Sequence, residues 1–167
     1  MHSSGDGFRE GIVALLPRLR RFARSLSGHA SDADDLVQAV VERALLSGHQ
    51  WQPESRLDSW LFRIMRNAWI DETRSRNRRA RIFAPEEAGS DVGVSVTDAQ
   101  IQGMSVQAAM ARLPDEQRVA VALVLVEGLS YKESAAILDI PMGTLTSRLA
   151  RGREALQRML SDDDGQR

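Results

Sequence analysis

The sequence predicts an all-α protein made of two small helical domains joined by a flexible linker, and three observations carry that prediction. Most of the chain repeats its apolar residues at helical spacing. Residues 83–102 break the repeat with Pro85, Gly89, Gly93 and four acids unopposed by any base. A capped short helix, a turn and a longer helix then follow between Ser130 and Leu160. The expected boundaries are 1–82 for the first domain, 83–102 for the acidic linker, 103–160 for the second domain and 161–167 for an acidic tail.

Ile12, Leu15 and Leu16 lead into a stripe of Leu19, Phe22, Ala23 and Leu26, with Pro17 marking a helix start or kink and Gly28 the end. Ser31 has the position of an N-cap. Asp32, Asp34 and Asp35 fill the first turn, where acids suit the helix dipole, and Ala33, Leu36, Val37, Val40, Val41 and Ala44 continue as one face up to Gly48. After a loop from His49 to Ser55 containing Pro53, a long helix is expected from Asp58 to Arg79. Its stripe is Leu61, Ile64, Met65 and Ala68, fading at Glu72. Beyond the linker, Ile101, Met104, Ala108 and Ala111 restore the helical period until Pro114. The run Val119 to Val126 is wholly apolar, and periodicity alone does not separate a strand from a buried helix. Its flanks decide for helix, with Pro114, Asp115 and Glu116 before it and Gly128 after it.

Ser130 and Glu133 stand at capping-box spacing, opening a short helix with Ala135 and Leu138 inward. Asp139, Ile140 and Pro141 turn the chain, and Asp139 is an acceptable residue for left-handed geometry where Gly is usual. The next helix carries Leu145, Leu149, Leu156 and Leu160 inward, and Thr144, Thr146, Ser147, Arg148 and Arg151 outward. Two helices crossing this closely need a small residue, which Ala135 supplies. Such a helix-turn-helix would place its second helix in the DNA major groove, with Arg on phosphates. The plainer alternative is a helical hairpin with a solvated basic face.

Between Trp60 and Ile82 the polar side of the long helix holds Arg63, Arg66, Asn67, Asp71, Arg74, Arg76, Arg78 and Arg79, with Trp60 and Trp69 among them. Single-stranded nucleic acid suits this pattern, because Arg neutralises phosphate and an indole stacks on an unpaired base for about 1 to 3 kcal/mol. Core packing is the competing explanation for Trp60, and a solvated helix end for the arginine run. Asp35, Gln38, Val41 and Glu42 recur at three- to four-residue spacing and could form a docking surface for a partner helix.

Composition narrows the classes further. The chain has 167 residues, 22 Lys plus Arg, 23 Asp plus Glu and no Cys. Disulfide scaffolds and thiolate metal sites are therefore excluded. Charge segregates beneath the near-neutral total: residues 56–82 hold eight Arg against three acids, and residues 31–55 one Arg against five acids. Two separated basic stretches suggest two contacts with a polyanion, leaving acidic surfaces for another partner. Codon bias could explain why Lys132 is the sole Lys, but not the clustering. No apolar run reaches a membrane span of about 18 residues and no signal core opens the chain, so a soluble cytoplasmic protein without cofactor is expected. A metal enzyme built on His29, Asp32, Asp34, Asp35 and Glu42 fails on spacing, since adjacent acids point apart and no Glu-x-x-His pair occurs. An ordinary helix-turn-helix regulator remains a rival, although it would have no use for Trp51, Asn67 and Arg63.

Five fragments in this order, DADDLVQ, WLFRIMRNAWIDETR, an acidic linker, LPDEQR and GLSYKESAAILDIPMGTLTSRLARGREAL, resemble the extracytoplasmic-function (ECF) sigma factors, the two-domain members of the sigma-70 family. The resemblance covers nearly the whole chain. It implies a protein that is not an enzyme and directs core RNA polymerase to promoters. The first domain would be sigma region 2, binding the beta-prime clamp helices through Asp35, Gln38, Val41 and Glu42. The same domain would recognise and melt the minus-ten element through Trp51, Ser55, Leu57, Trp60, Arg63, Arg66, Asn67, Asp71 and Arg74. The loop Trp51 to Leu57 would correspond to the pocket that captures a flipped-out base. The second domain would be sigma region 4, binding the beta flap and reading the minus-thirty-five element with Thr144, Thr146, Ser147, Ala150 and Arg151. Arg148 and Arg153 would suit phosphates. The resemblance also implies control by an anti-sigma factor.

Overall fold

The structure is a computed structural model that describes residues 4–83 and 106–164, and every element among them is helical. The predicted linker beyond Phe83, with Ile101 and Met104 after it, lies outside the described residues. In chain order the elements are α1 (Ser4–Ser27), α2 (Ala30–Leu46), a 3-10 turn (Gly48–Gln50) and α3 (Leu57–Phe83). They continue as α4 (106–112), α5 (Asp115–Val121), α6 (Tyr131–Leu138) and α7 (Met142–Asp164). α7 carries the chain four residues into the expected tail without interruption.

The predicted stripes are the core. Leu19, Phe22, Ala23 and Leu26 of α1 meet Ala33, Val37, Val40 and Ala44 of α2 and Leu61, Met65 and Ala68 of α3. Phe62, which sequence analysis did not place inward, stands edge-on to Phe22 with ring centroids 4.9 Å apart, a geometry that adds about 1 kcal/mol to area burial. In the second half, α5 packs on α7 at Gly152, where a Cβ would lie 2.7 Å from Val121 Cγ2. That glycine permits the close crossing.

Several expectations change in position. Pro17 does not start a helix, because α1 runs through it. The carbonyl it leaves without a donor belongs to Val13, whose side chain is 64% exposed, so the break faces water. α2 begins one residue before Ser31, with His29 as N-cap and no side-chain cap bond. Ser27 explains this: its single hydroxyl proton is shared between the carbonyls of Ala23 and His29, 2.9 and 3.2 Å away, fixing the turn from the preceding side. Gly28 does end α1 with a left-handed φ of 75°. Gly48 is needed for space, since a Cβ there would lie 2.9 Å from Phe8 Cε1. In α4 the buried residues are Ala109 and Met110, and the expected Ala108 and Ala111 are exposed.

The apolar run Val119 to Val126 is helical as its flanks require, but it widens after Val121 into a π turn (Ala122–Val126). Glu127 N–H closes that turn on the Ala122 carbonyl at 3.0 Å. The wide turn delivers Glu127 to the side of α1. The two halves consequently share one continuous core, α1 touching the π turn and α3 touching α6.

Asp139 adopts φ 53° and ψ 49°, the left-handed conformation the turn demands. Asp139→Ala should lower stability by about 1 kcal/mol and Asp139→Gly should not, as urea unfolding of both variants would register.

Candidate nucleic-acid interface

The hairpin of α6 and α7 is built from local bonds. Ser130 Oγ accepts from the Glu133 backbone N–H at 3.1 Å, and Ser130 N–H donates to Glu133 Oε2 at 3.2 Å. At the other end the N–H groups of Asp139 and Ile140 donate to the carbonyls of Ala136 and Ala135, closing α6. α7 then presents Thr146, Ser147, Ala150, Arg151 and Arg153 to solvent, while Thr144 and Arg148 are half-buried. Thr146 donates its hydroxyl proton to the Gly143 carbonyl at 3.0 Å, so that hydroxyl faces outward as an acceptor. Arg148 leans back to pair with Glu116 of α5 at 3.5 Å. Thr144, Ser147, Arg148 and Arg151 line one cleft of about 550 Å³ with Pro141 and Glu116.

On α3, Arg63, Asn67, Asp71 and Arg74 are exposed and follow one another at three- to four-residue spacing. Arg66 is half-buried and donates to Asn67 Oδ1 at 3.0 Å. Its burial, then the charges of Arg148, Arg74 and Arg63, push its guanidinium below the ordinary value. The aromatics behave differently from the stacking expectation. Trp69 is only 6% exposed and belongs to the core. Trp60 is half-buried, edge-on to Phe8 at 6.0 Å, and Trp51 tilts over the same ring at 5.5 Å with its indole N–H buried without a protein acceptor. Ser55 closes the loop by donating to the Gln52 carbonyl at 2.7 Å. Leu57 fills the space above Gly11, where a Cβ would lie 2.7 Å from its Cδ2.

The four residues read as a docking face divide between the two flanks of α2. Gln38, Val41 and Glu42 line a groove of about 730 Å³ between α1 and α2 with Leu16, Arg20, Arg24 and Leu45. Asp35 lines a separate cleft toward α3 with Trp69, Arg76 and Arg118. Among the described residues no helix is long and apolar enough to cross a membrane, and no group of three or more metal-ligating side chains could hold an ion.

Sequence reasoning did not find the charged seam between the halves. Glu127, with its side chain fully buried, takes two bonds from Arg21, 3.0 Å from Nε and 2.9 Å from Nη2. Arg18 stands 3.5 Å from the same carboxylate and donates to Asp58 at 3.0 Å. Arg56 joins Asp58 to Glu133 of the second half. A single acid closing an eight-residue apolar run was the one visible signal for Glu127. Arg118 gave none, yet it donates to the carbonyls of Leu26, Ala111 and Leu113 and lies 5.5 Å over the Trp69 ring.

A capped hairpin offering hydroxyls and arginines, beside a second arginine-bearing helix, defines a helix-turn-helix protein of the DNA-binding class. Comparison with known proteins narrows that class. Residues 12–66 match the family described as "Sigma2 domain of PhyR", and residues 103–156 match "Sigma-70, region 4". The chain is 39% identical over 158 residues to the ECF RNA polymerase sigma factor EcfG of Rhodopseudomonas palustris, covering 95% of this chain and 87% of that protein. It is 41% identical over 165 residues to SigM of Mycobacterium tuberculosis, covering 95% and 81%. Among solved structures it is similar to the sigma factor RpoE in complex with the anti-sigma factor NepR from Bartonella quintana, with TM-score 0.77, 33% identity and coverage of 93% and 97%. The chain belongs to the ECF RNA polymerase sigma factors.

Two predictions arise here. Arg118→Ala leaves three carbonyls without their charged donor and should destabilise the chain by about 2 kcal/mol, with a change in Trp69 fluorescence. Arg118→Lys should recover little, because an ammonium does not reproduce the planar fork. The second concerns Asp58. Burial raises its carboxyl, but the bonds from Arg56 and Arg18 outweigh it and hold it below the ordinary 3.8. A depressed value means stability present above pH 3.8 and lost as pH falls through the lower folded value. Asp58→Asn should flatten that acid limb of the stability curve, as denaturant midpoints measured across it would record.

Proposed function

We propose that this protein is a dissociable promoter-specificity subunit of RNA polymerase, acting in the cytoplasm and without catalytic activity of its own. The observation that carries the reading is the pairing of two arginine-bearing DNA faces, on α3 and on α7, in a chain whose two halves match sigma region 2 and sigma-70 region 4. Residues 1–82 act as region 2, 83–102 as the connecting linker, 103–160 as region 4 and 161–167 as the tail.

In region 2, Arg63, Arg66 and Arg74 neutralise minus-ten phosphates, while Asn67 and Asp71 read base edges on the strand that opens. Trp51, Ser55, Leu57 and Trp60 shape the loop into which an unstacked base enters. The packing of both tryptophans on Phe8 supports a rigid pocket wall. In region 4, Thr144, Thr146, Ser147, Ala150 and Arg151 face the minus-thirty-five major groove, and Arg148 and Arg153 hold its phosphates. The groove lined by Gln38, Val41 and Glu42 receives a helix of the polymerase clamp, with Asp35 on its far flank. The partner in RpoE's solved complex is an anti-sigma factor, and we read this chain as subject to the same kind of control.

Run-off transcription with purified core polymerase on a genomic promoter library tests the reading. Promoter-selective transcripts that depend on this protein are expected, and no core binding with no selective transcripts would sink it. Within that assay Asn67→Ala should impair promoter opening about tenfold more than duplex binding. Arg151→Ala should impair upstream duplex binding instead. Equal losses in duplex affinity from both changes would contradict this division of labour.

A further inference from the structure

The loop between α2 and α3 is seated on α1 by packing rather than by polar bonds. Among the described residues, the hydrogen bonds of residues 51–55 stay within the segment 47–55. Trp51 N–H donates to the Gly48 carbonyl at 3.2 Å, and Ser55 donates to the Gln52 carbonyl through its N–H and its hydroxyl. What fixes the loop to the body is therefore apolar contact.

One face of α1 supplies that contact. The Phe8 ring lies 5.5 Å from the ring of Trp51, at the start of the loop, and 6.0 Å from the ring of Trp60, just beyond its end. It also closes on Gly48, where a Cβ would stand 2.9 Å from Phe8 Cε1. Gly11, one helical turn along the same face, leaves room for Leu57, whose Cδ2 would be 2.7 Å from a Cβ there. Both ends of the loop thus rest on neighbouring positions of one helix. Trp51, against the Phe8 ring, keeps its indole N–H buried without a protein acceptor. A donor left unpaired in a binding wall favours a base that offers it an acceptor, so its placement bears on which base is taken.

We propose that Phe8 is the positioning residue of the minus-ten loop, setting how strictly the loop discriminates between bases without touching DNA itself. The proposal rests on the sigma-factor reading for what the loop captures. A ring wedged between two indoles and a glycine has few alternative positions, so the pocket is shaped before a base arrives. Without the ring the loop still admits a base, but the base must order it, and a looser pocket distinguishes less between occupants. The α2 groove and the α7 face lie elsewhere and keep their binding.

Holoenzyme transcription tests this. Promoters that the unaltered protein selects in run-off assays are remade with each minus-ten base pair replaced in turn, and separately each minus-thirty-five pair. Phe8→Ala should lower the yield ratio of selected to replaced template about tenfold at one or two minus-ten positions, leaving the minus-thirty-five ratios as they were. Gly48→Ala should do the same from the other side, because its Cβ displaces the ring instead of removing it. Phe8→Leu, which keeps apolar bulk in the same place, should restore part of the ratio. A merely structural loss would lower yields from every template alike and leave the ratios unchanged. Without polymerase, acrylamide quenching of indole emission should rise in Phe8→Ala as Trp51 and Trp60 loosen, with Trp69 buried as before and helix content unchanged by circular dichroism. Unchanged minus-ten ratios in both Phe8→Ala and Gly48→Ala would overturn the role of Phe8, as would an equal fall in the minus-thirty-five ratios. Absence of selective transcripts with the unaltered protein would overturn the sigma-factor reading, and the role in base choice with it, so the two failures are distinguishable.

Discussion

The end of α1, the end of α4 and the Trp69 face of α3 converge on the guanidinium of Arg118. Helix ends leave carbonyls without intrahelical donors, and three such carbonyls, those of Leu26, Ala111 and Leu113, are satisfied by this one side chain. Burial pushes the Arg118 guanidinium below its ordinary value, with the charge of Asp115 acting the other way. Its position fixes where α5 begins relative to α1, and everything beyond α5 inherits that placement. The π turn, Glu127 and the α6–α7 hairpin are all downstream of it.

Small helical domains bury too little surface for much independent stability, which explains why the halves share a core. α1 serves both. Its inner stripe packs on α2 and α3, while Arg18 and Arg21, on another of its faces, meet Glu127. The exposed pairs of this seam contribute little individually, commonly under about 1 kcal/mol. Glu127 is the exception, since removing a buried charge's partners is more disruptive than breaking a surface pair. The packing of the two halves therefore depends on the buried carboxylate of Glu127, the guanidinium of Arg118 and the shared apolar core.

Local chemistry was legible in the sequence. Ser130, Glu133 and Asp139 each act through bonds within a few residues, so spacing alone located the cap and the left-handed turn. Gly28 was readable for the same reason. Ser31 misled because a Ser near a helix start has more than one local use, and here the Ser27 hydroxyl fixes the turn from the preceding side. Trp69 was misplaced because a helix interleaving Arg with Trp looks the same whether the indole faces nucleic acid or a buried guanidinium. The π turn has no pattern in an eight-residue apolar run, since every register of that run is equally hydrophobic. The seam was least visible, because its bonds join residues 40, 77 and 106 positions apart.

The charge arithmetic of the chain acquires a spatial meaning from these contacts. Acids and arginines that cancel on paper also meet in the fold: Asp32 with Arg76, Glu72 with Arg76, Glu116 with Arg148, and the alternating chain from Glu127 to Glu133. Among the described residues, Arg63, Arg74, Arg151 and Arg153 make no ion pair, and they lie on the two faces read as meeting phosphates. A neutral chain can thus carry a strongly directional field. Among the described residues six acids, Asp32, Asp58, Glu72, Glu116, Glu127 and Glu133, are taken up by ion pairs, while Arg63, Arg74, Arg151 and Arg153 remain outside them. On the proposed reading, that division lets a protein with almost no net charge bind a polyanion at two places while offering an acidic surface to a protein partner.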